Sequence, residues 1–326
     1  EREREGGRGM GGIEWTKLDT SLYLNQQDAL VPTKNGQLLY LGSNVPFSDN
    51  CCRLATRLSD GSFREEELPY PDPLGSRWKC VESEGCVLAF PSMPIPNRRY
   101  GYQYTLTYVW SLSLDTRVWS EISLHNAPAP CMVSACFTIN GAVYALCTRR
   151  GSVNTAIVAL DIATSTWMEV ESPDCMYSTV SATNERVYLM NATAKTIDTY
   201  TPKDGFNTLV ALPFAIGQNT DRSTVIAFDR HLLVLVATEV RRDRPEQLHA
   251  HCLSLASLEW ERWGNGNRGS HADGYDNRHH ACLGYLACLL GPDSIFVVEG
   301  VGRTSLTVDE DSTYMAEVVF PPCDDA

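Results

Sequence analysis

The sequence contains no stretch of apolar residues that approaches the roughly 18 needed for a transmembrane helix. Its first residues, EREREGGRGMGG, lack the apolar core of a signal peptide, and we expect residues 1–11 to form a flexible tail. No Cys-x-x-Cys pair occurs among the 12 cysteines, which argues against a zinc ribbon or a thioredoxin-type site. A P-loop, a GxSxG nucleophile elbow and a GxGxxG motif opening a helix are also missing.

Positive charge is scarce, because 27 Lys and Arg face 40 Asp and Glu and the formal net charge is −13. We therefore expect no bulk attraction to nucleic acid or to an anionic membrane. The cysteines sit mostly inside apolar stretches, which is typical of buried free thiols; a disulfide framework is the alternative. We expect an intracellular protein, cytoplasmic or nuclear, with secretion left open, and we expect no cofactor.

Helical periodicity is almost absent, and an internal repeat takes its place. The stretch SLSLDTRVWSEI from Ser111 has a near copy, ALDIATSTWMEV, from Ala159. A two-residue turn rich in Asn, Asp and Gly, followed by about five apolar residues, precedes each such hairpin and predicts a tight a–b turn leading into a buried strand. This pattern occurs at NGQLLYLG (Asn35), EGCVLAFP (Glu84), NGAVYALC (Asn140), NERVYLMN (Asn184), DRHLLVLV (Asp229) and PDSIFVVE (Pro292).

Each repeat predicts four short strands, here called a to d from the innermost outward, with an aromatic residue opening strand d. The sixth repeat has no aromatic strand d of its own, whereas the N-terminal segment GGIEWTKLD carries Trp15. The sequence thus predicts an all-β fold, a six-bladed β-propeller of four-stranded antiparallel blades whose last blade is closed by the N-terminal strand. We expect one domain over residues 12–320 and a C-terminal tail over 321–326. The expected blades are 20–66, 67–122, 123–170, 171–212, 213–263, and 264–320 together with 12–19.

These residues resemble the kelch repeat, within the broader class that includes the central domain of galactose oxidase. The resemblance rests on the apolar strand b, on Asp115 and Asp161 with the nearby Thr116 and Thr164, and on the strand-d tryptophan. The paired glycines that end strand b in kelch repeats are replaced here, for example by LCT and MNA. The resemblance implies that partner peptides bind on the side carrying the b–c and d–a loops, often through arginine.

In a four-stranded meander the b–c and d–a connections leave at one end, which we call the loop face, and the a–b and c–d turns leave at the other, the turn face. The predicted b–c loops are rich in arginine, a planar donor suited to carboxylates and phosphates, and in tyrosine. We therefore expect a monomeric interaction module that binds an acidic or phosphorylated protein segment; solvated loop arginines are the alternative. The expected contact residues are Arg98, Arg99, Tyr100, Tyr102, Arg149, Arg150, Arg241, Arg242, Tyr275 and Arg303.

The alternative function is a galactose-oxidase-like or other propeller enzyme acting on a small polar ligand at the central channel. No catalytic residue is assigned. His271, His279 and His280 are of residue types that bind zinc, but polar residues near the loop end of strand a explain them better. Few acids fall inside strand a, with Glu82 and Glu84 as the nearest, and this argues against glycosidase chemistry.

Overall fold

A computed structural model describes the chain at residues 12–18, 29–43, 50–58, 62–71, 78–92, 95–97, 101–103, 107–127, 131–149, 155–171, 173, 175, 177, 179–191, 193–214, 223–238, 247–263, 282–289, 294–301 and 312–319. These residues form strands and turns, and no helix occurs among them, as the sequence predicts. No helix of the described chain could therefore span a membrane.

Five blades are each a four-stranded antiparallel sheet built from one stretch of chain. Blade 1 consists of β2 (Ala29–Pro32), β3 (Gln37–Ser43), β4 (Asn50–Arg57) and β5 (Phe63–Leu68). Blade 2 consists of β6 (Trp78–Ser83), β7 (Cys86–Pro91), β10 (Tyr108–Ser113) and β11 (Trp119–Ser123). Blade 3 consists of β12 (Cys131–Ile139), β13 (Ala142–Arg149), β14 (Thr155–Asp161) and β15 (Thr166–Glu171).

Blade 4 consists of β16 (Thr179–Ala182), β17 (Val187–Asn191), β18 (Thr196–Thr201) and β19 (Gly205–Ala211). Blade 5 consists of β20 (Ser223–Ala227), β21 (His231–Thr238), β22 (Gln247–Ser254) and β23 (Trp260–Trp263). A further four-stranded sheet, the terminal sheet, has the order β1 (Gly12–Leu18), β26 (Ser312–Val319), β25 (Ser294–Val301), β24 (Cys282–Leu289). The two short strands β8 (Ile95–Asn97) and β9 (Gly101–Gln103) pair separately. The expected all-β propeller of four-stranded antiparallel blades is thus confirmed.

The second strand of each blade is buried on both sides, which explains why strand b reads as a continuous apolar run. In β7, Val87 and Ala89 face blade 1, whereas Leu88 and Phe90 face blade 3. Apolar cores of this kind fill the spaces between blades 1 and 2, 2 and 3, 3 and 4, and 4 and 5. The packing therefore runs from blade to blade around the propeller.

The aromatic residue that opens strand d packs between blades, as expected from its large apolar area. Trp119 packs against the core between blades 1 and 2, and Trp167 lies in the core between blades 2 and 3. Phe206 and Trp260 occupy the same position between blades 3 and 4 and between blades 4 and 5. The repeated hairpin of the sequence is thus a repeated contact with the preceding blade.

Hydrogen bonds to backbone carbonyl oxygens reinforce this contact at the outer rim. The Trp167 backbone N–H donates to the carbonyl oxygen of His125, which follows strand d of blade 2, at 3.1 Å. The His125 N–H donates in turn to the Ser165 carbonyl at 2.8 Å. Between blades 4 and 5 the indole Nε1–H of Trp260 donates to the Ala211 carbonyl at 3.1 Å. The end of each of these outer strands is therefore tied to the c–d hairpin of the next blade.

The c–d hairpins of blades 2, 3 and 5 each have one residue with positive φ, and the sequence supplies a non-glycine residue at this position. The φ angles are 60° at Arg117, 54° at Ser165 and 57° at Leu258. In blade 3 the carboxylate of Asp161 accepts hydrogen bonds from the backbone N–H groups of Ala163 and Thr164, at 3.0 and 3.2 Å. Hydrogen bonds from Thr164, chiefly from its side chain, hold the pKa of Asp161 below its ordinary value. This explains the Asp-x-x-Thr signature of blade 3 as a turn device.

The a–b turns differ in length more than the sequence suggests. Glu84–Gly85 and Asn140–Gly141 are two-residue links in which both residues have positive φ, as a type I′ turn requires. The links between β2 and β3, β16 and β17, and β20 and β21 contain three or four residues. The two-residue expectation therefore holds in blades 2 and 3 and is wrong in blades 1, 4 and 5.

Seven cysteines within the described strands and turns are seen as free thiols, and three of them, Cys52, Cys147 and Cys252, are fully buried. Burial raises the pKa of Cys136 to about 12 and also raises the pKa of Cys80. These thiols are consequently protonated at neutral pH and serve as small apolar core residues.

Candidate functional site

Most of the predicted contact residues lie outside the described residues. This applies to Arg98, Arg99, Tyr100, Arg150, Arg241, Arg242, Tyr275 and Arg303, and to His271, His279 and His280. The backbones of Tyr102 and Arg149 are placed. Tyr102 lies in β9 opposite Pro96, and Arg149 is the last residue of β13, opposite Cys131 at the start of strand a. Arg149 is therefore at the loop end of blade 3.

The b–c connection of blade 2 contains a hairpin that the sequence analysis did not predict. The segment treated there as a loop forms β8 and β9, which pair with Asn97 opposite Gly101. The three residues between the strands are Arg98, Arg99 and Tyr100. Asn97 and Gly101 are turn-forming residues and were the available signal, but three-residue strands carry too little periodicity to be recognised. Two of the expected arginines thus join a pair of strands in an inserted hairpin.

A cluster of basic and aromatic side chains lies at the loop end of blade 5, and the sequence analysis missed it. His249 and His251 are alternate residues of β22 and so project to the same side, and Arg262 on β23 lies opposite His251. Arg262 Nη2 is 3.1 Å from His249 Nδ1. The His251 ring stacks on Phe214, with ring centroids 3.8 Å apart. We call these four residues the blade 5 cluster.

The environment of the blade 5 cluster keeps both histidines neutral. Burial, followed by the nearby Arg262 guanidinium, lowers the pKa of His249. The same two causes, with His249 third, lower the pKa of His251 to about 4. Because Arg262 can only donate, Nδ1 of His249 accepts this hydrogen bond and the ring proton sits on Nε2. The cluster therefore presents hydrogen-bond donors and one permanent positive charge.

A second polar cluster is buried between blades 3 and 4. Tyr177 and Asp198 are 6% and 8% exposed, and the Tyr177 hydroxyl donates to Asp198 Oδ2 at 3.1 Å. The Tyr177 ring stacks on Phe206 with centroids 5.9 Å apart. Burial, a hydrogen bond with Cys175 and the Asp198 charge raise the pKa of Tyr177. Since Tyr177 lies on the connection from β15 to β16, this bond fixes a d–a connection to blade 4.

Where their side chains are described, the inner strands bring together little that could perform chemistry. Glu82 Oε2 accepts a hydrogen bond from the backbone N–H of Lys34 at 2.5 Å, which ties blade 2 to blade 1. Glu84 is exposed in a turn with φ 51°. Thr179 and Ser181 accept hydrogen bonds from the backbone of the neighbouring strand β20. In the part of the chain that the structure describes, no three His, Cys, Asp or Glu side chains are placed to share a metal ion.

Comparison with known proteins identifies the fold and goes no further. No protein-family model and no curated protein matches the sequence. Similar solved structures that cover nearly the whole chain include the following three. A Dyadobacter fermentans protein of unknown function is 12% identical, with a TM-score of 0.53, over 94% of this chain and 99% of its own. An aldose sugar dehydrogenase from Streptomyces coelicolor, solved with bound PQQ, is 11% identical, with a TM-score of 0.52, over 94% of this chain and 98% of its own.

The third is a fungal alcohol oxidase of the AA5 family, solved in complex with copper. It is 12% identical, with a TM-score of 0.54, over 97% of this chain and 77% of its own. Identities this low carry no information about chemistry, because a propeller supports many unrelated functions. Together with the sheet order, these similarities show that the chain is a β-propeller of four-stranded antiparallel blades.

Proposed function

We propose that this chain is a six-bladed, kelch-type interaction module that binds an acidic segment of a partner protein on its loop face. The fold supplies only a scaffold, so the proposal depends on where the chain places arginine. The observation that carries it is the inserted hairpin of β8 and β9, whose connection is Arg98, Arg99 and Tyr100. Arg149 at the loop end of β13 and Arg262 at the loop end of β23 support the same face in blades 3 and 5.

The closure of the ring supports the assignment of loops to this face. We infer that the terminal sheet is the sixth blade. The strand β1 pairs with β26 over seven residues, from Gly12 opposite Val319 to Leu18 opposite Thr313. The inner strand β24 lies beside both β20 of blade 5 and β2 of blade 1. A terminal sheet in this position leaves no open edge between the two ends of the chain.

Closure can be tested with a disulfide across β1 and β26. Glu14 and Glu317 are directly opposite each other in the register. We expect the double variant Glu14→Cys/Glu317→Cys to form a cross-link under mild oxidation, because directly opposite strand residues have the Cβ spacing that a disulfide requires. Peptide mass mapping would detect the linked pair. The control Glu14→Cys/Thr313→Cys, whose second site is opposite Leu18 rather than Glu14, should not cross-link. Equal linkage in both variants would contradict closure.

Partner binding can be tested by reversing charge on one face at a time. We expect the variant Arg149→Glu/Arg150→Glu/Arg241→Glu/Arg242→Glu to capture no partner from cell extract, because an acidic segment would meet like charge. The matched control reverses the same number of exposed charges on the turn face: Lys34→Glu, Arg186→Glu, Lys203→Glu and Arg230→Glu. We expect this control to capture the same partners as the natural chain.

Two outcomes would overturn the proposed binding role. The first is unchanged capture by the loop-face variant in quantitative pull-downs. The second is equal loss of capture by both variants, which would show that net charge rather than the loop face governs binding. Stoichiometric copper or zinc in the purified protein would instead favour an enzyme, the function of two of the similar structures.

A further inference from the structure

The outer edge of blade 4 differs in charge from the outer edges of blades 1, 2, 3 and 5. Its strand d, β19 (Gly205–Ala211), has seven residues, and none of them is charged. The outer strands of the other four blades are shorter, and each carries at least one glutamate. Charged side chains on an edge strand normally prevent it from pairing with another chain. Blade 4 lacks this protection.

The backbone of β19 offers hydrogen-bonding groups to a further strand. Asn207 is opposite Thr199 of β18, and its carbonyl oxygen accepts a hydrogen bond from the Thr199 hydroxyl at 3.3 Å. The Asn207 carbonyl group therefore points toward β18. Because the direction of these groups alternates along an antiparallel strand, the N–H and C=O groups of Phe206 and Thr208 point away from β18.

Blade 3 shows the same backbone direction at the equivalent position. The residue that opens its strand d is Trp167, whose N–H points outward and donates to the carbonyl oxygen of His125 in blade 2. Within the described residues, no hydrogen bond from a neighbouring blade reaches the backbone of Phe206 or Thr208. Asn207 and Thr208 are exposed, so a second strand has access to this edge.

The charge of the protein favours β19 as the edge at which a second copy of the chain would bind. The chain has a formal net charge of −13, and like charges placed opposite each other destabilise a strand pair. Two copies that met at β5 would bring together the three successive glutamates of that strand. Two copies that met at β19 would pair uncharged residues. Asp204 in the preceding turn and Glu171, whose carboxylate lies beside Gly205, are near one end of this edge.

We infer that two copies of this chain associate through β19, which pairs with its own copy as antiparallel strands about a two-fold axis at Asn207. In this register Phe206 of each copy exchanges both backbone hydrogen bonds with Thr208 of the other copy. An aromatic residue opposite a β-branched residue is a favourable cross-strand pair. Asp204 of each copy is opposite Val210 of the other, so the acidic groups near the ends of the pairing do not meet.

A β-bulge limits the length of this pairing. The register of β18 with β19 shifts between Ile197 and Asp198, which leaves Leu209 without an opposite residue. Beyond the bulge, the carbonyl oxygen of Ala211 already accepts a hydrogen bond from the Trp260 indole of blade 5. A pairing this short buries less surface than the roughly 1,200–2,000 Å² of a stable interface, so we expect a weak dimer whose population depends on concentration.

This inference is independent of the proposed function and differs from the monomer expected from the sequence. The strand β19 is at the outer rim of blade 4, whereas the acidic partner is proposed to bind on the loop face. A dimer presents two loop faces. It would therefore hold a partner that has two acidic segments more tightly than a monomer would.

Association can be measured by sedimentation velocity at protein concentrations up to about 500 μM. We expect the mass of the natural chain to increase with concentration from 36.2 kDa toward twice that value. Thr208→Pro removes the outward N–H of each copy and leaves the pairing with β18 intact, since proline is tolerated where an edge strand faces solvent. The dissociation constant should increase about 30-fold, the effect of losing two backbone hydrogen bonds.

The matched control is Glu121→Pro, which makes the same change at the equivalent position of blade 2. Glu121 is exposed and lies two residues after Trp119, as Thr208 lies two residues after Phe206. This variant should associate as the natural chain does, and circular dichroism would show whether both proline variants are folded. If Thr208→Pro does not fold, Asn207→Lys replaces it, because the two introduced charges would meet at the axis and repel each other.

A cysteine at the axis tests the register of the pairing. Asn207→Cys should give a disulfide-linked dimer under mild oxidation, because a residue opposite itself in a non-hydrogen-bonded pair has the Cβ spacing that a disulfide requires. Ala211→Cys, which is also exposed on β19 but would be opposite Lys203 of the other copy, should not cross-link. Denaturing electrophoresis without reductant would compare both variants with the natural chain.

Four results would overturn the inference. The first is a natural chain that stays monomeric over the whole concentration range, and the second is unchanged association in the folded Thr208→Pro variant. The third is equal loss of association in Thr208→Pro and Glu121→Pro, and the fourth is equal cross-linking of Asn207→Cys and Ala211→Cys. Each of these results leaves the proposed function standing, because partner capture by the loop face is measured separately in the pull-downs.

Discussion

Replacing Trp167 with alanine is expected to destabilise the protein by about 3–5 kcal/mol, the usual cost of truncating a buried tryptophan. The Trp167 side chain is 4% exposed and lies in the core between blades 2 and 3. Its ring is 5.7 Å from that of Phe90 across the two blades. The neighbouring strands are held by their own backbone pairing and cannot collapse into the space, so most of the lost contact should appear as lost stability.

The control for this prediction is the next residue, Met168, which is 66% exposed on the same strand. Met168→Ala should change the free energy of unfolding by less than about 0.5 kcal/mol. Both variants would be compared by urea unfolding followed by tryptophan fluorescence and by circular dichroism. Equal stability of Trp167→Ala and Met168→Ala would show that the strand-d aromatic does not hold the blades together.

Replacing Tyr177 with phenylalanine is expected to destabilise the protein by about 1–3 kcal/mol, although the change removes a single oxygen atom. The phenylalanine ring can keep the stacking on Phe206, so packing is retained. The substitution removes a hydrogen bond from Asp198, which is 8% exposed and whose Oδ2 accepts the proton of the Tyr177 hydroxyl. Within the described residues its second oxygen, Oδ1, receives no hydrogen bond. A buried carboxylate that has lost its hydrogen-bond donor lowers the free energy of unfolding.

A double-mutant cycle separates this cost from any other effect of the substitution. Once Asp198 is replaced with leucine, Tyr177→Phe should cost less than about 0.5 kcal/mol, because no buried carboxylate depends on the hydroxyl. The cycle would be measured by chemical unfolding at pH 7. An unchanged cost of Tyr177→Phe in the Asp198→Leu background would show that the hydrogen bond contributes nothing to stability.

The propeller could be predicted because its signals are local. The Asn-Gly turn at Asn140, the apolar strand of Val143–Cys147 and the strand-d Trp167 each have a physical preference that needs no distant partner. Repetition of the same signals excluded other all-β folds, since a repeat must stack on its neighbours to bury its core. The between-blade position of the aromatic residue followed from its size.

The candidate site could be predicted only in part. Arginine in the b–c connections was visible, because loops are recognised by composition. The blade 5 cluster was not, since His249 and His251 sit within a largely apolar strand and Arg262 lies between two tryptophans on another. Their meeting depends on the register of β22 with β23, which pairs His251 with Arg262. The β8–β9 hairpin was missed for a related reason, because three-residue strands are stabilised by context rather than by pattern.

The sequence by itself determined the class of fold, the order of the strands within a blade and the aromatic contact between blades, because each is set by local turn geometry and by the burial of apolar side chains. Only the tertiary structure decided which polar groups meet. Tyr177 reaches Asp198 across 21 residues of chain, and Arg262 reaches His249 across 13. Such pairs depend on strand register and on the packing of one blade against the next, and the local pattern of residues determines neither of them.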